Sequence, residues 1–193
     1  MSNKTVYIAG DMLKKGSRIL RDQEKKDIEE LGYSVYSPMD DVEINDKQKQ
    51  TEESNNKLAE KIVYKDTMGI LQSDIIVIEP TNDACGTMVE LGQIKGAKDM
   101  AKIVATAIMD MTIEKRDDKF IILQVMRLCQ DMFDKKIYPH YEDCRRTDIP
   151  EKSDRRSWGV NQYVYGTCLD LSRGKGFYEW DEILDILKKD LEV

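Results

Sequence analysis

The sequence has little of what metal and redox chemistry need, because it contains one histidine, His140, and no Cys-x-x-Cys pair. A histidine-rich zinc site is therefore excluded, and a Ser-His-Asp triad would have to use that single residue. The four cysteines (Cys85, Cys129, Cys144 and Cys168) are widely scattered and are typical of reduced thiols. Carboxylates are plentiful, so we expect any catalysis to rest on Asp and Glu.

Long apolar runs and clustered positive charge are also missing. No segment approaches the roughly 20 apolar residues that span a bilayer, and no signal-peptide pattern is present. The net charge of −7 and the 7% aromatic content argue against nucleic-acid binding. We therefore expect a soluble, cytoplasmic protein without nucleic-acid or membrane partners, folded as one domain over residues 1–193.

Short apolar runs alternate with amphipathic segments along the chain. The predicted strands are residues 5–9, 33–36, 74–78 and 102–108. The predicted helices are residues 17–31, 51–71, 87–98, 119–133, 160–171 and 180–191. Residues 137–156 are expected to form a long loop, within a lid or insertion around residues 110–158. This order predicts a doubly wound α/β fold, flavodoxin- or Rossmann-like, with a mainly parallel sheet flanked by helices.

In such a fold, ligands bind beyond the carboxyl ends of the strands. The sequence places Gly10, the loop from Pro38 and the loop of residues 80–86 at this edge. The glycines spell neither a Gly-x-Gly-x-x-Gly pattern nor a P-loop, so chemistry on nucleoside triphosphates is not indicated.

Asp66 interrupts an apolar stripe. It lies with Leu58, Ile62 and Ile70 at i, i+4 spacing on the predicted helix, so a carboxyl stands on the face expected to pack against the sheet. Two interpretations stay open. Asp66 either points to the edge of the sheet and caps a loop, or has a raised pKa and exchanges a proton with a ligand.

Glu90 and Tyr7 are two further candidates. Glu90 has no basic residue three or four positions away, and it sits near the start of a predicted helix, whose N-terminus favours an ionised carboxylate. It is either a simple first-turn glutamate or a reactive carboxylate in a cleft. Tyr7 lies in the middle of the first strand and is either a core residue or a side chain reaching toward the edge.

Five segments in this order resemble the nucleoside 2-deoxyribosyltransferases over most of the chain. They are VYIAG at residues 6–10, YSP at 36–38, KDTMGI at 65–70, GTMVELG at 86–92 and VNQYVYG at 160–166. The resemblance implies transfer of 2-deoxyribose between nucleobases. Its expected partners are a 2′-deoxynucleoside and a free nucleobase, no cofactor or metal is needed, and active sites are shared between subunits of a homo-oligomer.

The resemblance also implies roles for particular residues. Glu90 matches the nucleophile that attacks the anomeric carbon, Tyr7 the tyrosine that orients it, and Asp66 the aspartate that protonates the base. Asn161 matches the asparagine that a neighbouring subunit lends to the sugar. By the same similarity, Gly10 and Gly86 are expected to lie against the substrate.

One position departs from the family pattern. The family usually has Asp two residues before the Gly-Thr glycine, where this chain has Ala84, so the adjacent Asp83 is the candidate for that substrate contact. Two alternatives follow. One is a deoxynucleoside or deoxynucleotide N-glycosidase, with Lys14, Lys15 or the backbone at residues 16–17 binding a phosphate. The other is a catalytically silent nucleotide-binding module.

Overall fold

The computed structural model describes residues 4–41, 58–110, 119–143 and 160–192. These residues contain one parallel sheet in the order β2-β1-β3-β4, built from β1 (Thr5–Ala9), β2 (Ser34–Tyr36), β3 (Ile75–Ile78) and β4 (Lys136–Pro139). The flanking helices are α1 (Lys15–Glu30), α2 (Leu58–Gln72), α3 (Cys85–Asp110), α4 (Lys119–Asp134), α5 (Gln162–Leu171) and α6 (Trp180–Leu191). A 3-10 turn, Pro38–Asp40, follows β2. The predicted doubly wound α/β class is confirmed.

Both faces of the sheet are covered, which explains why its central strands read as continuous apolar runs. Tyr7, Ala9, Ile76 and Ile78 point to one face and pack with residues of α2, α3 and α5. The alternate residues of the same strands point to the other face and pack with Ile28 of α1 and with α6. The sheet therefore lies between two apolar layers, and the loops predicted to bind the ligand follow the carboxyl ends of its strands.

The predicted fourth strand is wrong. Residues 102–108 continue α3, which runs unbroken from Cys85 to Asp110 and packs against α4. A short apolar run has no periodicity that separates a strand from a buried helix, and neither glycine nor proline interrupts residues 97–110. The fourth strand is instead Lys136–Pro139. Its four residues are too few to show a strand pattern in the sequence, and they end in a proline, which is tolerated because the strand lies at the edge of the sheet.

The segment expected to form a lid or insertion therefore contains core elements. Residues 119–134 form the predicted helix, and Ile137 to Pro139, expected to open the long loop, pair with β3. Residues 144–156 of that predicted loop lie outside the described residues, as do residues 51–57 of the predicted second helix. None of the described helices is long and apolar enough to cross a membrane.

The end of α1 was predicted correctly from Gly32. This glycine has a φ of +97°, which L side chains rarely adopt, and its amide donates to the carbonyl of Glu29 at 2.9 Å. The chain reverses there and enters β2 beside β1, which brings Tyr36 into register with Tyr7. Two tyrosines thus become neighbours, one in the middle of β1 and the other at the carboxyl end of β2.

Candidate active site

Tyr7 and Glu90 form a direct pair across the sheet–helix boundary. The Tyr7 ring is fully buried on the face covered by α3, and its hydroxyl donates to Oε1 of Glu90 at 2.5 Å. Glu90 lies in the second turn of α3, because the helix begins at Cys85 rather than at Thr87. The strand and the helix therefore hold one oxygen of a partly buried carboxyl in a fixed position.

Burial dominates the acidity of this pair. Burial raises the pKa of Glu90 to about 7, and the negative charge of Asp66 adds to this increase. The hydrogen bond from Tyr7 lowers the same pKa but is outweighed. Burial and the same glutamate also raise the pKa of Tyr7 far above its usual value, so this hydroxyl keeps its proton. The helix N-terminus was expected to keep Glu90 ionised. In the fold, burial acts against that effect and favours the neutral form.

Asp66 brings a second carboxyl to the same place. It is half-buried on α2, and burial followed by the negative charge of Asp41 raises its pKa to about 6. Its charge acts on both Glu90 and Tyr7. The structure therefore brings together the three residues predicted to be catalytic, and it gives the two carboxyls different environments. Such a pair is the usual arrangement for acid–base chemistry on a substrate.

Tyr36 is a further member of the site that was quoted in a motif but not assigned a role. Its ring stacks on that of Tyr7, with centroids 5.4 Å apart and an interplanar angle of 12°. Its hydroxyl donates to the carbonyl of Lys65 at 3.1 Å. The signal that could have found it is the matching position of the two tyrosines in adjacent parallel strands.

A cavity of about 530 Å³ opens beyond the ends of the strands. Asp83 lines it and forms an ion pair with Lys14 of the loop after β1. The neighbouring Ala84 is buried, whereas Asp83 is exposed. The remaining lining residues are mostly polar: Glu79, Thr81, Asn82, Tyr141, Glu142 and Asp143.

Gly10, which follows β1, leaves space for a buried arginine side chain. A Cβ built on it would lie 1.7 Å from Nη1 of Arg21, so only glycine leaves room for this buried guanidinium. Nη2 of Arg21 donates to Oε1 of Glu24 and to Oε2 of Glu79, both at 2.7 Å. Glu79 in turn accepts from the backbone amide of Glu142 through Oε1 at 3.0 Å. The cluster therefore ties together the loops that follow β1, β3 and β4.

His140 completes this buried cluster on the side of α6. Its Nε2 lies 3.4 Å from Oε1 of Glu24, and its ring lies 5.5 Å from that of Trp180. The indole of Trp180 donates to Asp27 at 2.8 Å. Burial raises the pKa of Glu24 to about 7, although His140 and Arg21 act in the opposite direction. Sequence reasoning missed the cluster because Arg21 and Glu24 have the i, i+3 spacing of an ordinary surface pair.

Comparison with known proteins decides the family. The model of the family described as nucleoside 2-deoxyribosyltransferase matches residues 6–151, which is most of the chain. The chain belongs to this family. Membership in the nucleoside 2-deoxyribosyltransferases indicates glycosyl transfer with nucleosides and nucleobases as ligands. A comparison with curated protein sequences gives no significant match.

Two solved structures are similar to this family member. A conserved protein from Enterococcus faecalis V583 aligns with a TM-score of 0.58 and 18% identity, over 98% of this chain and 99% of that chain. At this identity the likeness shows a shared fold. A 2-deoxyribosyltransferase from the psychrotolerant bacterium Bacillus psychrosaccharolyticus aligns with a TM-score of 0.49 and 12% identity, over 94% of this chain and 90% of that chain.

The last two residues expected in the deoxyribosyltransferase site lie at helix N-termini. Gly86 is exposed in the first turn of α3, with open space where a Cβ would be. Asn161 caps α5, where its side-chain oxygen accepts from the amide of Tyr163 at 2.8 Å. Within the described residues, no three His, Cys, Asp or Glu side chains gather in a way that could hold a metal ion.

Proposed function

We propose that the protein transfers 2-deoxyribose between nucleobases with retention of configuration, through an ester between the sugar and Glu90. The observation that carries this proposal is the arrangement of two carboxyls: Tyr7 holds Oε1 of Glu90, and the negative charge of Asp66 acts on the same carboxyl. Retaining glycosyl transfer needs one carboxylate as nucleophile and one carboxyl as acid, each in its own environment.

The first half-reaction forms the ester. The ionised carboxylate of Glu90 attacks C1′ of the deoxynucleoside, the bond from C1′ to the base nitrogen breaks, and Asp66 donates its proton to the departing base. Because Tyr7 holds Oε1 of Glu90, the free approach to the sugar is through Oε2. In the second half-reaction an incoming base attacks C1′, Asp66 takes its proton, and Glu90 leaves as the carboxylate.

The variants that test these roles remove one function each. Glu90→Gln should abolish base exchange between deoxyinosine and adenine, and Asp66→Asn should slow it by about 10²-fold or more, since it removes a general acid. Asp99→Asn is the matched control, because Asp99 is an exposed carboxylate further along α3 that pairs with Lys95. Chromatography of the products measures exchange. Normal turnover by folded Glu90→Gln contradicts the proposal.

The ester itself can be observed directly. Protein mixed with deoxyinosine and no acceptor base should gain the mass of one deoxyribosyl group on Glu90, located by peptide mapping. The Asp66→Asn variant should accumulate less of it, because departure of the base is slowed. The pH profile of kcat/KM should be bell-shaped with limbs near pH 6 and pH 7, because Glu90 and Asp66 must together hold one proton.

Hydrolysis is the alternative outcome of the same ester. If water reaches C1′ before a second base, free base and deoxyribose accumulate and no new deoxynucleoside forms. The same assay separates the two activities. A silent binding module would bind deoxynucleoside without either product.

Asp11 favours a nucleoside over a nucleoside monophosphate. Its carboxylate accepts from the amide of Leu13 at 3.0 Å and from the hydroxyl of Ser17 at 2.7 Å, which are donors at the start of α1 that a phosphate would use. Burial alone raises the pKa of Asp11, but these hydrogen bonds outweigh it and keep the pKa below its usual value. A fixed negative charge therefore occupies this end of the helix. Deoxyinosine should react faster than its 5′-monophosphate.

We also propose a homo-oligomer with active sites shared between subunits. Two exposed apolar side chains adjoin the site residues, namely Val89 beside Glu90 and Tyr163 two positions after Asn161. A partner subunit that covers them would exclude water from the ester. Co-expressed Glu90→Gln and Asn161→Ala chains should regain part of the activity that each lacks alone, since some mixed sites carry both intact residues. Sedimentation that gives only monomers contradicts this arrangement.

A further inference from the structure

We propose that Tyr36 is a positioning residue that fixes the Tyr7–Glu90 pair relative to Asp66. The inference rests on the proposed function and extends it to a residue outside the three catalytic groups. Tyr36 ends β2, and its ring stacks on the ring of Tyr7 at 5.4 Å and 12°. The Tyr7 hydroxyl donates to Glu90, and the stacked neighbour restricts the orientation of the Tyr7 ring.

The other end of Tyr36 is fixed to the helix that carries Asp66. Its hydroxyl donates to the carbonyl of Lys65, the residue directly before Asp66. One side chain therefore contacts both the tyrosine that holds the nucleophile and the backbone that carries the acid. An uninterrupted set of contacts runs from Glu90 through Tyr7 and Tyr36 to α2.

Gly69 makes this close approach possible. A Cβ on Gly69 would lie 2.7 to 2.9 Å from three atoms of the Tyr36 ring, so no other residue lets α2 pack so tightly against it. Glycine inside a helix costs about 1 kcal/mol relative to alanine. Gly69 is buried and lies opposite the Tyr36 ring, one helical turn after Lys65. Its presence there is explained if the short distance between the ring and α2 matters for the site.

The electrostatics agree with this position. Burial raises the pKa of Tyr36, and the negative charges of Asp66, Asp41 and Glu90 raise it further. Tyr36 therefore lies within electrostatic reach of both carboxyls while keeping its proton to donate to Lys65. A shift of about 1 Å between a nucleophile and an acid can cost about 10²-fold in rate, which sets the expected effect of losing this spacer.

Three substitutions test the proposal at different contacts. Tyr36→Leu removes the stack and the hydrogen bond, Tyr36→Phe removes the hydrogen bond alone, and Gly69→Ala pushes the ring away without changing it. We expect kcat to fall by about 10- to 100-fold in Tyr36→Leu and in Gly69→Ala, and by less in Tyr36→Phe, with smaller changes in KM. Gly96→Ala, an exposed mid-helix glycine with open space around it, is the matched control.

A second measurement does not depend on activity. The carboxyl carbon of Glu90 is assigned by NMR from its loss in Glu90→Gln, and its titration is followed in each variant. Because the hydrogen bond from Tyr7 lowers the pKa of Glu90, loosening it in Tyr36→Leu should raise the titration midpoint, by up to about one pH unit.

The two measurements separate the two proposals. If the wild-type chain exchanges no bases but Tyr36→Leu still shifts the Glu90 titration, the proposed function fails and the positioning role holds. If the wild-type chain is active and folded Tyr36→Leu leaves kcat and the titration unchanged, the positioning role is overturned. Should Tyr36→Leu not fold, Tyr36→Phe decides, because a wild-type titration and kcat in that variant refute the anchor at Lys65.

Discussion

Replacing Gly10 by alanine should destabilise the protein strongly, although a methyl group is a small addition. The new Cβ would lie 1.7 Å from Nη1 and 2.7 Å from Cζ of Arg21, so the guanidinium has to move. That group is 2% exposed and is bonded to Glu24 and Glu79, which are almost equally buried. Breaking a buried ion pair typically costs about 3–5 kcal/mol. For a chain of this size the melting temperature should fall by roughly 6–20 °C.

Thermal and urea unfolding followed by circular dichroism measure this effect. Gly16→Ala is the control, because a Cβ on that helical glycine meets nothing within 4 Å and should leave stability unchanged or slightly improved. In an Arg21→Met background, Gly10→Ala should cost much less, which a double-mutant cycle will reveal. If Gly10→Ala is as stable as the wild type but loses nucleoside binding, the steric reasoning is refuted and the substrate contact is the reason for this glycine.

Three further predictions concern regions around the site. The pKa of Glu24 is raised from 4.5 to about 7 in the fold, so its stabilising contribution is complete below pH 4.5 and is lost as the pH rises through 7. Glu24→Gln should therefore reduce the change in the free energy of unfolding between pH 4.5 and pH 7 by up to about 3 kcal/mol. Alkylation of the native protein, mapped by mass spectrometry, should modify exposed Cys85 and spare Cys168, because burial raises the pKa of that thiol to about 12. Tyr33→Phe should lower the free energy of unfolding by about 1 kcal/mol without changing kcat, because its hydroxyl donates to the carbonyl of Leu187 on the face of the sheet covered by α6.

The central strands and two of the candidate site residues, Asp66 and Glu90, could be picked out from the sequence for physical reasons. The central strands are buried on both faces, so their apolar runs are continuous and unmistakable. Asp66 and Glu90 stood out because each conflicts with its local pattern, one on an apolar face and one without a basic neighbour. Residues that break a local pattern are often those used for function.

The remaining features depend on contacts between distant segments. The strand Lys136–Pro139 is defined by its pairing with β3, and nothing in its four residues requires an extended conformation. The spacing of Arg21 and Glu24 is the same on the surface and in the interior of a protein. The stack of Tyr36 on Tyr7 appears only once β2 and β1 are placed in register. Each of these features can be recognised only from the folded structure.

The contact between Trp180 and His140 provides the protein with an intrinsic optical reporter. The indole lies 5.5 Å from an imidazole that belongs to the buried cluster on the far side of the sheet from Glu90. Its fluorescence will therefore respond to changes in the packing of that cluster and not to events at the sugar. With Trp158, the second tryptophan of the sequence, replaced by phenylalanine, a single emission band would follow this cluster during unfolding, without any added dye.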